Sequence, residues 1–404
     1  MQSILGRLDD ELARQVLLLL PLESLLPLLR TSREDRRIAS QLVTRISIPE
    51  ADDVDLRNLM TGDWRKVACL EIVRKNLSAS MHHQPFSGKF PSLQSISLEH
   101  VPLAASHIHL LVKTNYKLIQ SLKLYDCGLE AYSLDWLNKG CWPVLQTLDL
   151  GQNTFREHHM ACLVSFNSNS LKSLDLTACR LDSAAIARLG HNSWGQLRNL
   201  NLSENSFSQA AAKVLFTGHW PQLEGLTLRE TKMSHIHVLY LVKDSWQRLQ
   251  LLDLSFTRLD AVALEHLATI DWPALIELSL SHNYLSHFSY QVLVRMSCRW
   301  LQKLHLKNTS LTLTSFEQLL HAPWQFLTYL DLRGNRLKQA LFYIHHDQAL
   351  PGLPQRFEDD ADFWHSVACN LRNLLETIRC VASVIQQHPA GSNLRVVNRQ
   401  HHWT

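Results

Sequence analysis

The sequence predicts an α/β solenoid, in which short parallel strands and helices alternate along the chain. Three observations support this fold class. A phrase of three leucines, clearest at Leu145, Leu148 and Leu150, returns every 26 residues without insertion or deletion. Apolar and polar residues alternate at the end of the phrase, and apolar residues at helical spacing follow it. A constant period in this range is typical of structural repeats that stack and share one core.

Each copy of the phrase predicts one strand, because its last two leucines are two positions apart and side chains alternate between the faces of a strand. A shortened copy at Val43, Ile46 and Ile48 lies 24 residues ahead of the regular ones, so about twelve strands are expected. The eleven regular copies begin at Val67, Leu93, Ile119, Leu145, Leu171, Leu197, Leu223, Leu249, Leu275, Leu301 and Leu327.

The second half of each repeat predicts a helix, since apolar residues three apart lie on the same helical face. Clear pairs are Leu134/Leu137, Met160/Leu163, Ile186/Leu189, Val238/Leu241, Leu264/Leu267 and Phe316/Leu319. An aromatic residue, such as Trp142 or Trp272, stands three positions before most opening leucines. Regular aromatic spacing favours rings that cap the return from helix to strand over an aromatic binding track.

A ladder position follows three residues after the third leucine, and it is mostly Asn, Cys or Thr, as at Cys127, Asn153 and Thr257. A short polar side chain there can bond the backbone of the turn that leaves the strand. The repeated phrase resembles the leucine-rich repeat, of the 26-residue, Cys/Asn-bearing, ribonuclease-inhibitor-like type. The resemblance implies a horseshoe over residues 41–338, with parallel strands on its concave face.

The first forty residues lie outside the repeats and predict three short helices. They resemble an F-box at Leu8-Asp9-Asp10-Glu11-Leu12, at Leu20-Pro21 and at Ser32-Arg33, although Asp9 replaces the family's first proline and Asp35 its tryptophan. The resemblance implies that residues 1–40 bind a Skp-type adaptor. The alternative is a helical cap over the first repeat, which a solenoid needs in either case. The implied adaptor-binding residues are Leu8, Leu12, Val16, Leu20, Pro21, Leu25 and Leu26.

The repeat rhythm ends near residue 338. Residues 339–404 are expected to comprise a loop, a helix from about Asp360 to Gln387 that covers the last repeat, and a mobile tail.

Composition limits the function. The chain has 40 Lys and Arg against 37 Asp and Glu, a net charge of +3, which gives no electrostatic case for nucleic acid or an anionic membrane. No apolar run approaches the roughly 18 residues that span a bilayer. The eight cysteines include no Cys-x-x-Cys pair, which favours reduced thiols in a cytoplasmic or nuclear protein.

No catalytic motif or phosphate-binding loop appears, so we expect a protein that is not an enzyme and needs no cofactor. Histidine pairs such as His158-His159 occupy unrelated repeat positions, which favours surface histidines over a metal site. The predicted working surface is the concave face of the strands, with acids in mid-array and bases toward its end. The candidate partner-binding residues are Lys123, Tyr125, Asp149, Asp175, Asn201, Arg229, Asp253, His305, Lys307, Asp331 and Arg333.

The resemblances imply the substrate-recognition subunit of a Skp–cullin–F-box ubiquitin ligase, a monomer that binds its target on the concave face. The alternative is a leucine-rich-repeat scaffold or inhibitor without a ligase link. A GTPase-activating protein of the Ran type would rest on fold similarity alone.

Overall fold

The computed structural model describes two compact units, which divide after Leu226. The predicted N-terminal helices and the predicted C-terminal helix lie outside the described residues. Those residues are 45–51, 65–74, 90–113, 117–129, 131–140, 142–164, 170–192, 194–243, 246–320, 322–335 and 395–397.

The first unit contains seven described strands that pair in chain order, all parallel. Paired residues are 26 apart from β2 onward, as Ser121 and Thr147 show, whereas Arg45 pairs with Cys69 at the predicted shorter interval. The strands are β1 Arg45–Ala51, β2 Cys69–Arg74, β3 Ser95–Glu99, β4 Ser121–Tyr125, β5 Thr147–Asp149, β6 Ser173–Asp175 and β7 Asn199–Asn201. The helices are α1 Ala105–Lys113, α2 Ala131–Lys139, α3 Glu157–Val164, α4 Ser183–His191 and α5 Gln209–Phe216.

The second unit repeats the pattern, and a further strand, β8 Gly225–Thr227, lies where the units divide. Its last strand is formed by residues 395–397, which the leucine phrase did not predict, and it pairs in parallel with the strand before it. The strands are β9 Leu251–Asp253, β10 Glu277–Ser279, β11 Lys303–His305, β12 Tyr329–Asp331 and β13 Arg395–Val397. The helices are α6 His235–Leu241, α7 Ala261–Leu267, α8 His287–Val294 and α9 Leu313–Leu320.

Burial follows the leucine phrase. In β5, Leu148 is buried while Thr147 and Asp149 on either side are half-buried, and the same alternation recurs in β6, β9 and β10. The helical pairs are buried as predicted, for example Ile186 with Leu189, except that Phe316 is only partly buried. Each unit therefore has the predicted leucine-rich-repeat fold, with a core of leucines between strands and helices.

The ladder position satisfies the backbone of two successive turns. Asn153 is 1% exposed; its Oδ1 accepts from the N–H groups of Cys127 and Leu129, each at 3.1 Å. Its Nδ2 donates to the carbonyls of Leu124 at 2.7 Å and Leu150 at 2.8 Å. A buried backbone group without a partner is costly, so each asparagine joins its own repeat to the one before it. The predicted turn-bonding role is confirmed.

The aromatic residues that precede the opening leucines form a stripe along the repeats, and their indole groups bond the C-terminal ends of the helices. Trp142 donates from its indole N–H to the carbonyl of Leu137 at 2.8 Å, and Trp272 donates to Leu267 at 2.9 Å. Both rings are buried, and their donors reach carbonyls at the C-terminal ends of α2 and α7. These contacts confirm the packing interpretation of the stripe.

Candidate functional site

Side chains at the outer positions of the strands form what we call the open face of each unit, opposite the buried leucines. The open face of the first unit carries the candidates Lys123, Tyr125, Asp149, Asp175 and Asn201. That of the second unit, with the turn residues that follow its strands, carries the candidates Arg229, Asp253, His305, Lys307, Asp331 and Arg333.

In the first unit, Lys123 lies among carboxylates of neighbouring strands. Its ammonium is 2.8 Å from a carboxylate oxygen of Glu99 and 3.7 Å from one of Asp149. Burial lowers the pKa of Lys123, but the hydrogen bond to Glu99 and the charge of Asp149 outweigh it, so that the pKa is raised. On the next two strands, Asn201 of β7 donates to Asp175 of β6 at 2.8 Å.

Asp149 has a raised pKa, chiefly because burial disfavours its charge and then because Asp175 and Glu99 repel it. The N–H of Gly151, 2.9 Å from Asp149 Oδ1, and the charge of Lys123 act in the opposite direction. The open face of the first unit is therefore acidic, and the repulsion between its neighbouring carboxylates costs folding stability.

Tyr125 lies across Gly151, and the glycine is required for that contact. A Cβ atom at Gly151 would stand 2.8 Å from the ring of Tyr125, closer than real side chains allow. The ring also lies near Lys123, whose ammonium is 5.3 Å from its centroid.

In the second unit, Glu277 accepts from Lys303 and from His305, each at 3.0 Å. Arg333 donates to both carboxylate oxygens of Asp331, at 2.8 and 2.6 Å. Asp331 is only 3% exposed, so the expectation that it is exposed for a partner is wrong; it is the buried counterion of Arg333. Burial alone would raise the pKa of Asp331, but the hydrogen bonds from Arg333 lower it below its ordinary value.

The open face of the second unit contains a hollow of about 510 Å³. Its floor includes the small residues Ser255, Ser279 and Ser281, and its rim includes Arg229 and Lys307. The predicted residues Asp253 and His305 also line it, so the structure brings four of the second-unit candidates together.

Two lining residues, Phe256 and His282, were not singled out from the sequence. Their rings stack with centroids 3.8 Å apart and planes 11° from parallel. They are 26 residues apart and directly follow Ser255 and Ser281, so the repeat period aligns them. Comparing the residues at this position from repeat to repeat is the sequence signal that reveals them.

These rings belong to a series of residues with left-handed backbone, one in each described turn after β3 to β12. Phe256 and His282 both have φ of 59°, a conformation that bulky residues seldom adopt. In the first unit the series is His100, Asp126, Gln152, Ala178 and Glu204; in the second it is Glu230, Phe256, His282, Asn308 and Gly334.

Other kinds of site find little support in the described residues. There, no three side chains of His, Cys, Asp or Glu are grouped so that they could hold a metal ion. Nor does the described part of the chain contain a helix that is long and apolar enough to cross a bilayer. The five described cysteines are all free thiols, and those on the ladder, Cys127 and Cys179, are buried.

Comparison with known proteins adds one structural likeness. No protein-family model and no curated protein matches the chain. The chain has a leucine-rich-repeat fold. Among the solved chains that match is one from the crystal structure of the TLR13–ssRNA13 complex, with a TM-score of 0.42 and 19% identity. The match covers 74% of this chain and 47% of that one, and the fold assignment rests on the repeats described above.

Proposed function

We propose that this chain is a protein-binding module, and that the open face of its first unit receives a partner with basic side chains. The observation that carries the proposal is the acidic row of Glu99, Asp149 and Asp175 on β3, β5 and β6, where Lys123 on β4 is the cation. Burial is the main cause of the raised pKa of Asp149, and a cationic partner would relieve the repulsion from Asp175 and Glu99 that adds to it.

The carboxylates are held in place before any partner arrives. Asp149 accepts from the Gly151 N–H, and Asp175 accepts from the N–H and hydroxyl of Thr177 at 2.8 and 2.6 Å. A surface that is already ordered loses little side-chain entropy when it binds, which favours recognition. Held carboxylates that cost stability are typical of binding surfaces rather than of surfaces that only face water.

The test is charge reversal on the open face of the first unit. The variant with Asp149 and Asp175 both changed to Lys should lose the proteins that the unmodified chain captures from cells, as quantified by mass spectrometry. A matched control changes Glu157 and Glu265, exposed acids on α3 and α7, to Lys and should retain those proteins. Equal capture by both variants would contradict the proposal.

We propose further that the partner is the target of a Skp–cullin–F-box ubiquitin ligase and that the chain is its substrate-recognition subunit, in the cytoplasm or nucleus. The support is the F-box-like order of residues within 8–39, directly before the repeats. These residues lie outside the described part of the chain. A scaffold or inhibitor without a ligase link is the alternative, and neither assignment involves chemistry by the chain itself.

Binding to a purified Skp-type adaptor distinguishes the two assignments. The ligase assignment predicts that the unmodified chain binds the adaptor and that the Leu25→Asp/Leu26→Asp variant does not. If the unmodified chain fails to bind, residues 1–40 are a cap and the scaffold assignment replaces the ligase.

A further inference from the structure

The hollow of the second unit has a column of planar side chains along one edge, where the strands end. The guanidinium carbon of Arg229 lies 4.8 Å from the centroid of Phe256, and Phe256 stacks on His282 at 3.8 Å. Asn308 continues the column, with its Nδ2 3.3 Å from the ring of His282. Contacts between successive repeats therefore fix the rings in place.

The cations Arg229 and Lys307 lie at opposite ends of the hollow, and the residues between them are small. Arg229, Ser255, Ser281 and Lys307 occupy the same position in successive repeats, and both serines are buried. At about 4.8 Å between neighbouring strands, three steps place the backbones of Arg229 and Lys307 about 14 Å apart.

The cations of this edge are poorly neutralised, whereas Glu277, one of the two carboxylates that line the hollow, already has cationic partners. Lys307 makes no ion pair with any described residue. Arg229 pairs with its exposed neighbour Glu230 at 3.2 Å, a contact of little strength in water. By contrast, Glu277 is held by Lys303 and by His305.

The cations Arg229 and Lys307 act electrostatically on His282, whose backbone is left-handed. Its pKa is lowered by burial first and then by the charges of Lys307 and Arg229. Phe256 and His282 hold left-handed backbone, as do the residues at the same position in the other described repeats from His100 to Gly334.

We propose that this edge of the hollow binds an acidic peptide segment of the partner, with one carboxylate near Arg229 and a second near Lys307. Apolar atoms of the segment would lie against the ring edges of Phe256 and His282. An extended chain spans about 13 Å in four residues, so acidic residues four apart match the two cations. The inference rests on the proposed protein-binding function and adds a second, oppositely charged contact to it.

The charges also decide against nucleic acid as the occupant. Asp253 and Glu277 line the same hollow, and a continuous phosphate chain would approach both carboxylates. A peptide with two acidic side chains can place its neutral backbone over them, which avoids the repulsion.

The test measures fluorescence anisotropy of a labelled Gly-Ser peptide that carries two glutamates four positions apart, with the full-length protein. We expect binding that weakens about fivefold in Lys307→Gln or Arg229→Gln and fades in about 0.5 M salt. Lys232→Gln, which removes an exposed lysine of the same unit outside the hollow, should bind like the unmodified chain. The same peptide with glutamines in place of glutamates should not bind.

Equal binding of the two peptides, or equal loss in Lys307→Gln and Lys232→Gln, would overturn the inference, as would tighter binding of an oligothymidine of equal charge. Charge reversal of Asp149 and Asp175 separates this failure from failure of the proposed function. If that reversal still removes the captured partner, only the inference of an acidic-segment site is rejected. If capture is unaffected, the protein-binding surface is lost as well.

Discussion

At the scale of single residues, the buried ladder asparagines contribute most to the stability of the turns. Asn283 is fully buried; its Oδ1 accepts from the Leu259 N–H at 3.1 Å, and its Nδ2 donates to the carbonyls of Leu254 and Leu280 at 2.8 and 3.0 Å. Among the ladder residues that the structure describes, no type other than asparagine bonds as many backbone groups.

Asn283→Ala should lower the free energy of unfolding by about 3 kcal/mol, because the buried Leu259 N–H and Leu280 carbonyl lose their partner, whereas the Leu254 carbonyl keeps its bond from Thr257. Asn283→Thr should cost less, since a ladder threonine donates to the carbonyl three residues before it, as Thr257 does to Leu254, and would keep the Leu280 carbonyl bonded. Urea denaturation followed by circular dichroism measures both. Tyr284→Ala, next in sequence and 86% exposed, is the control, and a loss as large as that of Asn283→Ala would contradict the account.

At the scale of elements, the distance between neighbouring helices depends on a glycine. A Cβ at Gly190 in α4 would stand 2.5 Å from the carbonyl oxygen of Val214 and 2.6 Å from the Cα of Leu215 in α5. Both contacts are with backbone, which cannot move aside as a flexible side chain would.

Gly190→Ala should therefore force α4 and α5 apart and lower the free energy of unfolding by about 2 kcal/mol. Gly195→Ala is the matched control, because its Cβ would meet nothing within 4 Å, and it should be neutral or slightly stabilising. Thermal unfolding of the two variants side by side is the measurement. Equal midpoints would show that the helices are not packed as closely as described.

The elements other than β13 were predictable because one period sets them. Leucine spacing placed the strands, and the shortened copy placed β1 with its pairing of Arg45 to Cys69. Contacts between individual side chains were not predictable, since they depend on which side chains reach each other. The burial of Asp331 beneath Arg333 and the stack of Phe256 on His282 are of this kind.

At the scale of the whole molecule, the account assigns partner binding to the open faces and structural support to the helices. The first unit offers held carboxylates, and the second offers a hollow with two cations on its rim. Electrostatic contacts of this kind govern the rate of association and the choice of partner more than they govern affinity. Partner binding should therefore weaken as salt is raised.

Site-specific photo-crosslinking tests this assignment most directly. A photoreactive amino acid would replace Thr147, on the open face of β5, or Ala161, on the exposed side of α3 in the same repeat. The account predicts that a partner protein is crosslinked from position 147 and not from position 161, and that Asp149→Lys/Asp175→Lys abolishes the crosslink. Crosslinking from position 161 alone would contradict it and would move the binding surface to the helices.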